Sequence, residues 1–247
     1  MRVCAAAPFE IACGASREGS VANAAATAPA SNTRWQPHDL LRLRCLRSFD
    51  GEPAWVRDAF ERAPYAVVRR ALTADGFVAI GLRGAERAQR YGTWAHAGEI
   101  VEVVSPEALV QMQPADERIA LPSFVALASL QRDSCGPLAD FVWGPTGSTG
   151  FELATRAPTV NEASDLDLLI RAPAPLALDP ARALLEQLQT LAARLGMRID
   201  AQLETPAGGV ALVEWAAGKT RVLARDAGGP RLIADPWAVA DGHDGAG

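Results

Sequence analysis

A glycine–serine turn followed by an aspartate pair constrains this chain more than any other feature. Trp143-Gly-Pro-Thr-Gly-Ser-Thr-Gly150 is rich in turn-forming residues, and Ser164-Asp-Leu-Asp-Leu-Leu-Ile170 follows shortly after it. The second stretch reads as a strand, with Asp165 and Asp167 set between Leu166, Leu168 and Ile170. Successive strand side chains point to opposite faces, so the two carboxylates share one face and the apolar residues the other. Adjacent carboxylates repel each other and are tolerated mainly when a cation sits between them. Mg²⁺ favours that arrangement, because it takes one or two carboxylates together with the phosphates of a substrate. Upstream, Gly147 and Ser148 stand at a predicted helix start, where backbone N–H groups and a hydroxyl suit a phosphate.

The short helix between the two motifs is supplied by Phe151-Glu-Leu-Ala-Thr155, and Phe141–Trp143 gives a short strand ahead of the turn. Strand, turn, helix and strand then deliver a phosphate cradle beside a carboxylate pair. In a two-metal displacement the ions clamp the attacking and leaving oxygens. A third carboxylate on a neighbouring strand completes such a site, and Asp200, Glu204 and Glu214 are the candidates. Asp200, Gln202 and Glu204 share a face of the predicted strand Met197–Glu204. Asp200 is preferred, because it lies nearest the start of the strand.

Composition narrows the function. The chain has 247 residues, 49% of them hydrophobic, and a net charge of −5. That balance argues against broad nucleic-acid binding, which needs a basic footprint. Residues 57–90 are a local exception, with seven arginines against four acids. Arg69, Arg70 and Arg83 in that segment are candidate contacts for a polyanionic small molecule. Cys4, Cys13, Cys45 and Cys135 have no metal-binding or disulfide spacing, and His38, His96 and His243 are widely separated. No apolar run is long enough for a membrane span, and Met1–Ser31 lacks a clean signal-peptide core. The expectation is a cytoplasmic protein with reduced thiols. Gly218-Lys-Thr220 resembles the end of a phosphate-binding loop, but the glycine that motif requires at 213 is Val213.

The organisation expected is α+β. Residues 1–33 read as a disordered Ala/Ser/Asn tail, 34–134 as a small N-terminal α+β domain, 135–240 as a second domain with a mixed sheet and helices on one face, and 241–247 as a flexible end. In the first domain, helix is expected at Ala54–Arg62, and strands at Tyr65–Arg69 and Phe77–Gly81 around an Asp75–Gly76 turn. Ala85–Trp94 is compatible with a helix. In the second, Asp179-Pro is expected to cap an amphipathic helix over 180–195 that Gly196 stops. Gly208-Gly209 is expected to turn into a strand Val210–Trp215.

Gly-Ser followed by Asp-x-Asp resembles the signature of the nucleotidyltransferase superfamily, whose second domain is a polymerase-β-like palm. The motif order resembles one family within it more closely. His38-Asp-Leu-Leu, Ala66-Val-Val-Arg-Arg70, Val78-Ala-Ile-Gly-Leu-Arg-Gly84, Trp143-Gly-Pro-Thr-Gly-Ser148, Ser164-Asp-Leu-Asp-Leu168, Leu203-Glu-Thr205 and Asp235-Pro-Trp237 carry this likeness. Together they resemble the phosphoribosyl-dephospho-CoA transferases, the holo-acyl-carrier-protein synthases of malonate decarboxylase, over roughly residues 35–237. The resemblance implies transfer from 2′-(5″-triphosphoribosyl)-3′-dephospho-CoA to a serine of the apo acyl carrier subunit, with loss of diphosphate. It implies Mg²⁺ on Asp165 and Asp167, Gly147 and Ser148 around the β- and γ-phosphates, and no nucleic-acid or membrane partner. Two alternatives stay open on the residues alone. One is a nucleotidyltransferase moving a nucleotide from ATP to a protein or small molecule; the other is a non-catalytic carrier-binding module.

Overall fold

The structure, a computed structural model, describes residues 2–5, 34–86, 88–133, 135–136 and 138–238. The chain divides into two compact units, Met1–Val103 and Val104–Gly247. That division falls earlier than the Cys135-Gly-Pro turn at which the sequence suggested one. The segment from Ser105 to Asp133 thus belongs with the aspartate motif rather than with the first domain.

Among the described residues, the first unit is a six-stranded sheet with one α-helix. Its elements are β1 (Arg2–Cys4), β2 (Leu40–Leu43), α1 (Trp55–Arg62), β3 (Tyr65–Val68), β4 (Phe77–Arg83), β5 (Arg90–His96) and β6 (Ile100–Val104). The sheet order is β1-β5-β4-β3-β2-β6. Strands β3 and β4 form the expected hairpin around Gly76, whose φ of +79° suits a residue without Cβ. Leu41, Ala66, Ile80, Tyr91, Ala95 and Val56 of α1 make its core.

Two expectations fail in this unit. Ala85–Trp94 does not form a helix; from Arg90 the chain is strand β5, paired with β4 from Phe77↔His96 to Arg83↔Arg90. The segment begins with good helix formers, but Tyr91 to Ala95 are all buried, and burial with cross-strand pairing overrides local propensity. The tail expected over 1–33 also differs at its start, where Arg2–Cys4 lies parallel to β5. Residues 6–33 lie outside the described residues, as do 241–247.

The second unit holds α2 (Pro106–Leu109), α3 (Pro122–Arg132), β7 (Val142–Pro145), α4 (Gly147–Thr155), β8 (Leu166–Arg171), α5 (Leu178–Leu195), β9 (Ile199–Thr205), β10 (Gly208–Ala211), α6 (Leu212–Ala216), β11 (Val222–Asp226) and β12 (Gly229–Ile233). Its strands run in the order β12-β11-β10-β9-β8-β7. The sheet is mixed: β8 and β9 are parallel, and the other neighbours are antiparallel. Parallel neighbours need a crossover, and α5 supplies it. Leu184 and Leu188 of α5 are buried, as are Leu166, Leu168, Leu169 and Ile170 of β8. Both observed units mix helices and sheet, so the α+β class holds.

Here too the structure corrects local detail. Helix α5 begins earlier than expected: Ala177 is its N-cap and has no side-chain cap, so Asp179 sits in the first turn rather than at the cap. An acid there still favours the positive end of the helix dipole. Gly196 ends the helix at φ +64°, as expected. The strand expected over Val210–Trp215 stops at Ala211, and Leu212–Ala216 is a short helix. Leu212 and Ala216, one turn apart, are both buried, so helical packing overrides the β-prone Val213 and Trp215.

Candidate active site

The site is built where β7 passes into α4 beside the start of β8. Strand β7 runs antiparallel to β8, with Pro145 opposite Leu168. Thr146 is extended, and its N–H donates to the Asp167 carbonyl at 2.8 Å. The chain then turns sharply at Gly147, whose φ is +60°. A Cβ at this position would lie 2.8 Å from Asp167 Cγ and closer still to Oδ2. Only glycine lets the Asp167 carboxylate lie against this turn.

Helix α4 starts at that point, so its first-turn N–H groups have no partners within the helix. Thr146 offers them no side-chain cap. Ser148 is largely buried, and its carbonyl accepts from Thr159 Oγ1 at 3.0 Å.

Asp165, Asp167 and Asp200, the candidates from the sequence, are placed by β8 and β9. Asp165 precedes β8 and Asp167 lies within it, on the same side by strand alternation. In the parallel pairing, Asp167 stands directly opposite Asp200 of β9. Asp167 of β8 and Asp200 of β9 therefore share one face of the sheet, with Asp165 just ahead of β8. Glu204 pairs instead with Arg171, four residues further along the strand and roughly 13 Å away. Glu214 is turned to another use, accepting from the Leu223 N–H at 3.1 Å.

Between the carboxylates stands a residue the sequence reading did not single out. Arg198 Nη2 donates to Asp200 Oδ2 at 2.7 Å and to Asp165 Oδ2 at 3.1 Å. The hydrogen bond to Asp200 and the charges of the aspartates hold this guanidinium above its ordinary pKa. Period-two spacing with Asp200 was the available signal, because Arg198 and Asp200 must share a face.

A second unforeseen group braces the same region. Glu152, on α4, is buried and carries four short contacts. It accepts from Arg118 Nε at 2.7 Å and Nη2 at 3.0 Å, and from the Thr159 and Val160 N–H groups at 2.7 Å each. Burial alone would raise its pKa, but the Arg118 hydrogen bonds and the two backbone donors outweigh it and hold the carboxyl below the ordinary range. Arg118 also donates to the Val160 carbonyl. The chain between α4 and Asp165 is thereby tied to the helix. Next to it, Ser164 Oγ accepts from the Asn161 N–H at 2.9 Å, which closes the turn that delivers Asp165.

Arg69, Arg70 and Arg83 belong to the first unit. Gly81 and Gly92 are register partners across β4 and β5, and Arg69 lies over both. A Cβ on Gly92 would stand 2.7 Å from Arg69 Cζ. Arg70 Nη1 is 3.1 Å from His38 Nε2, and His38 takes the left-handed φ of +75°. Arg83 faces Arg90 across the antiparallel pair.

Residues 109–236 match the family described as Phosphoribosyl-dephospho-CoA transferase MdcG C-terminal domain, and residues 36–106 match its N-terminal domain. The chain belongs to this family. A protein of Pseudomonas putida (strain W619) named phosphoribosyl-dephospho-CoA transferase is 44% identical over 207 residues, covering 83% of this chain and 97% of that protein. Its namesake from Pseudomonas aeruginosa is 44% identical over 209 residues, covering 83% and 95%. The Azotobacter vinelandii namesake is 41% identical over 203 residues, covering 82% and 94%. No solved structure matches the chain. Family membership makes this protein a transferase, and the matched regions include both the glycine turn and the aspartate face. The two family regions meet between residues 106 and 109, close to the boundary of the two compact units. Among the described residues, no helix is long and apolar enough to cross a membrane.

Proposed function

We propose that this transferase moves the phosphoribosyl-dephospho-CoA group from 2′-(5″-triphosphoribosyl)-3′-dephospho-CoA to a serine of the apo acyl carrier subunit of malonate decarboxylase. The names of relatives over 40% identical support the donor. The observation that carries the chemistry is the register of Asp167 with Asp200 beside the Gly147 turn.

The residues fit a hard divalent cation such as Mg²⁺. Their donors are carboxylate oxygens, and Gly147 leaves room for one of them. Among the described residues no three His, Cys, Asp or Glu form a ready metal cage. Mg²⁺ takes one or two carboxylates and completes its shell with substrate phosphates and water. Asp165 and Asp167 would hold Mg²⁺, which when bound neutralises phosphate charge and stabilises the departing diphosphate.

The chain's own groups do the rest. The α4 N-terminus, with Gly147 and Ser148, receives the β- and γ-phosphates. The serine oxygen of the carrier forms a bond to the α-phosphorus, and the α–β bridging bond breaks. Diphosphate leaves with the electron pair, and Asp200 takes the hydroxyl proton. Arg69, Arg70 and Arg83 stay candidate contacts for a polyanionic donor, on their charge alone. The exposed free thiols Cys4, Cys45 and Cys135 accord with a reducing cytoplasm as the setting.

Intact mass of an apo carrier subunit, incubated with the protein, the donor and Mg²⁺, tests this reading. A gain of one phosphoribosyl-dephospho-CoA unit, absent with Asp165→Asn/Asp167→Asn, is the expected result. No gain with the unaltered protein sinks it and sends attention to transfer from ATP or to a binding role.

A further inference from the structure

The aspartate face already holds a cation of its own. One nitrogen of Arg198 lies within hydrogen-bond distance of two carboxylates, 3.1 Å from Asp165 Oδ2, just ahead of β8, and 2.7 Å from Asp200 Oδ2 on β9. A divalent ion sits about 2.0–2.1 Å from such oxygens and uses the same lone pairs. The guanidinium and the ion therefore exclude one another, both by space and by like charge. Apart from these two bonds the arginine is open to solvent: its side chain is 66% exposed, against 17% for Asp165. It can leave at little cost in packing.

We infer that Arg198 is an internal counter-cation, which holds the carboxylates together before the metal arrives and passes to the donor's polyphosphate once the metal is seated. The inference rests on the metal-site reading above and adds an order to it. A dication alone must displace the arginine without compensation. A dication that arrives with a polyphosphate gives the displaced guanidinium a new anionic partner of matching geometry. The unaltered protein should accordingly bind the metal weakly alone and more tightly with diphosphate. Arginine suits this exchange because its charge is permanent and its fork fits carboxylate and phosphate alike.

The test is a Mn²⁺ titration of the full chain, followed by the electron paramagnetic resonance signal of the free ion, with and without inorganic diphosphate. Arg198→Ala and Arg198→Gln are run beside the unaltered protein, and circular dichroism checks the fold. The glutamine variant keeps polarity and loses charge. Without diphosphate, both variants should bind Mn²⁺ about fivefold tighter, because an exposed pair is worth little more than that. With diphosphate, that advantage should shrink, and the KM for the donor should rise in both. Unchanged or weaker Mn²⁺ affinity in well-folded variants overturns the inference. Absence of Mn²⁺ binding to every form overturns it too and removes the metal from the proposed mechanism. The carrier mass assay uses the unaltered protein with Mg²⁺ and is scored separately, so a failed arginine exchange and a failed transferase reading are told apart.

Discussion

Gly147→Ala separates what a glycine does for the backbone from what it does for the site. Two glycines of the second unit have almost the same positive φ: Gly147 at +60° and Gly196 at +64°. Their surroundings differ. A Cβ on Gly196 meets nothing within 4 Å, whereas one on Gly147 falls 2.8 Å from Asp167 Cγ and 3.1 Å from its Cβ. Both alanine variants carry the strain of a left-handed L-residue, about 1–2 kcal/mol. Each kcal/mol lowers the melting temperature by about 2–4 °C in a chain of this size. Only Gly147→Ala must also push the Asp167 carboxylate away, by on the order of 1 Å, and a misplacement of that size costs about 10²-fold in rate. Melting curves and kcat for carrier modification, measured on both variants, read the two effects apart. Gly196→Ala should lose stability and keep kcat within a few-fold; Gly147→Ala should lose about 10²-fold in kcat. Equal activity in the two variants would refute the placing of Asp167 in the reacting centre.

Glu152→Gln breaks a buried ion pair and leaves Arg118 without its counter-charge, which should cost about 3–5 kcal/mol in unfolding free energy by urea titration. The folded pKa of Glu152 lies below its unfolded value. Its stabilisation is therefore full at neutral pH and lost as pH falls below about 4.5, so the variant's acid limb should be shallower than that of the unaltered protein. Asp200→Asn should lower kcat by about 10²–10⁴-fold with little change in the KM for the donor, whereas Glu204→Gln should leave kcat nearly intact; steady-state rates decide. Arg70→Ala should raise the KM for the donor, and an unchanged KM would remove Arg70 from the binding contacts.

The aspartate face was legible because it rests on local rules. Alternation along a strand puts Asp165 with Asp167, and Asp200 with Gln202 and Glu204, whatever the rest of the chain does. Asp200 is preferred over Glu204 by strand position alone; in the β8–β9 register Asp200 stands opposite Asp167 and Glu204 opposite Arg171. Arg198 and Glu152 escaped notice because charged residues on short elements read as solvated surface until their partners are known. Glu152 has no sequence neighbour that explains it, since Arg118 lies 34 positions away. The two misread elements failed for one shared reason. Residues 85–94 and 212–216 have propensities opposed to their conformations, and burial of Tyr91, Thr93, Leu212 and Ala216 decides against propensity.

The single parallel pairing of the second sheet among the described residues has a consequence for how activity is gained and lost. Asp165 and Asp167 reach Asp200 only through the α5 crossover, so the trio exists only once that helix has packed. A chain with α5 undocked keeps the Gly-Ser turn and the aspartate pair yet lacks the third carboxylate. If Asp200 serves as proposed, turnover would thus report on completion of the fold. Mild denaturant that loosens α5 should silence the enzyme before the sheet itself melts. A one-residue insertion between α5 and β9 that slips the pairing would turn Asp200 to the opposite face of the sheet.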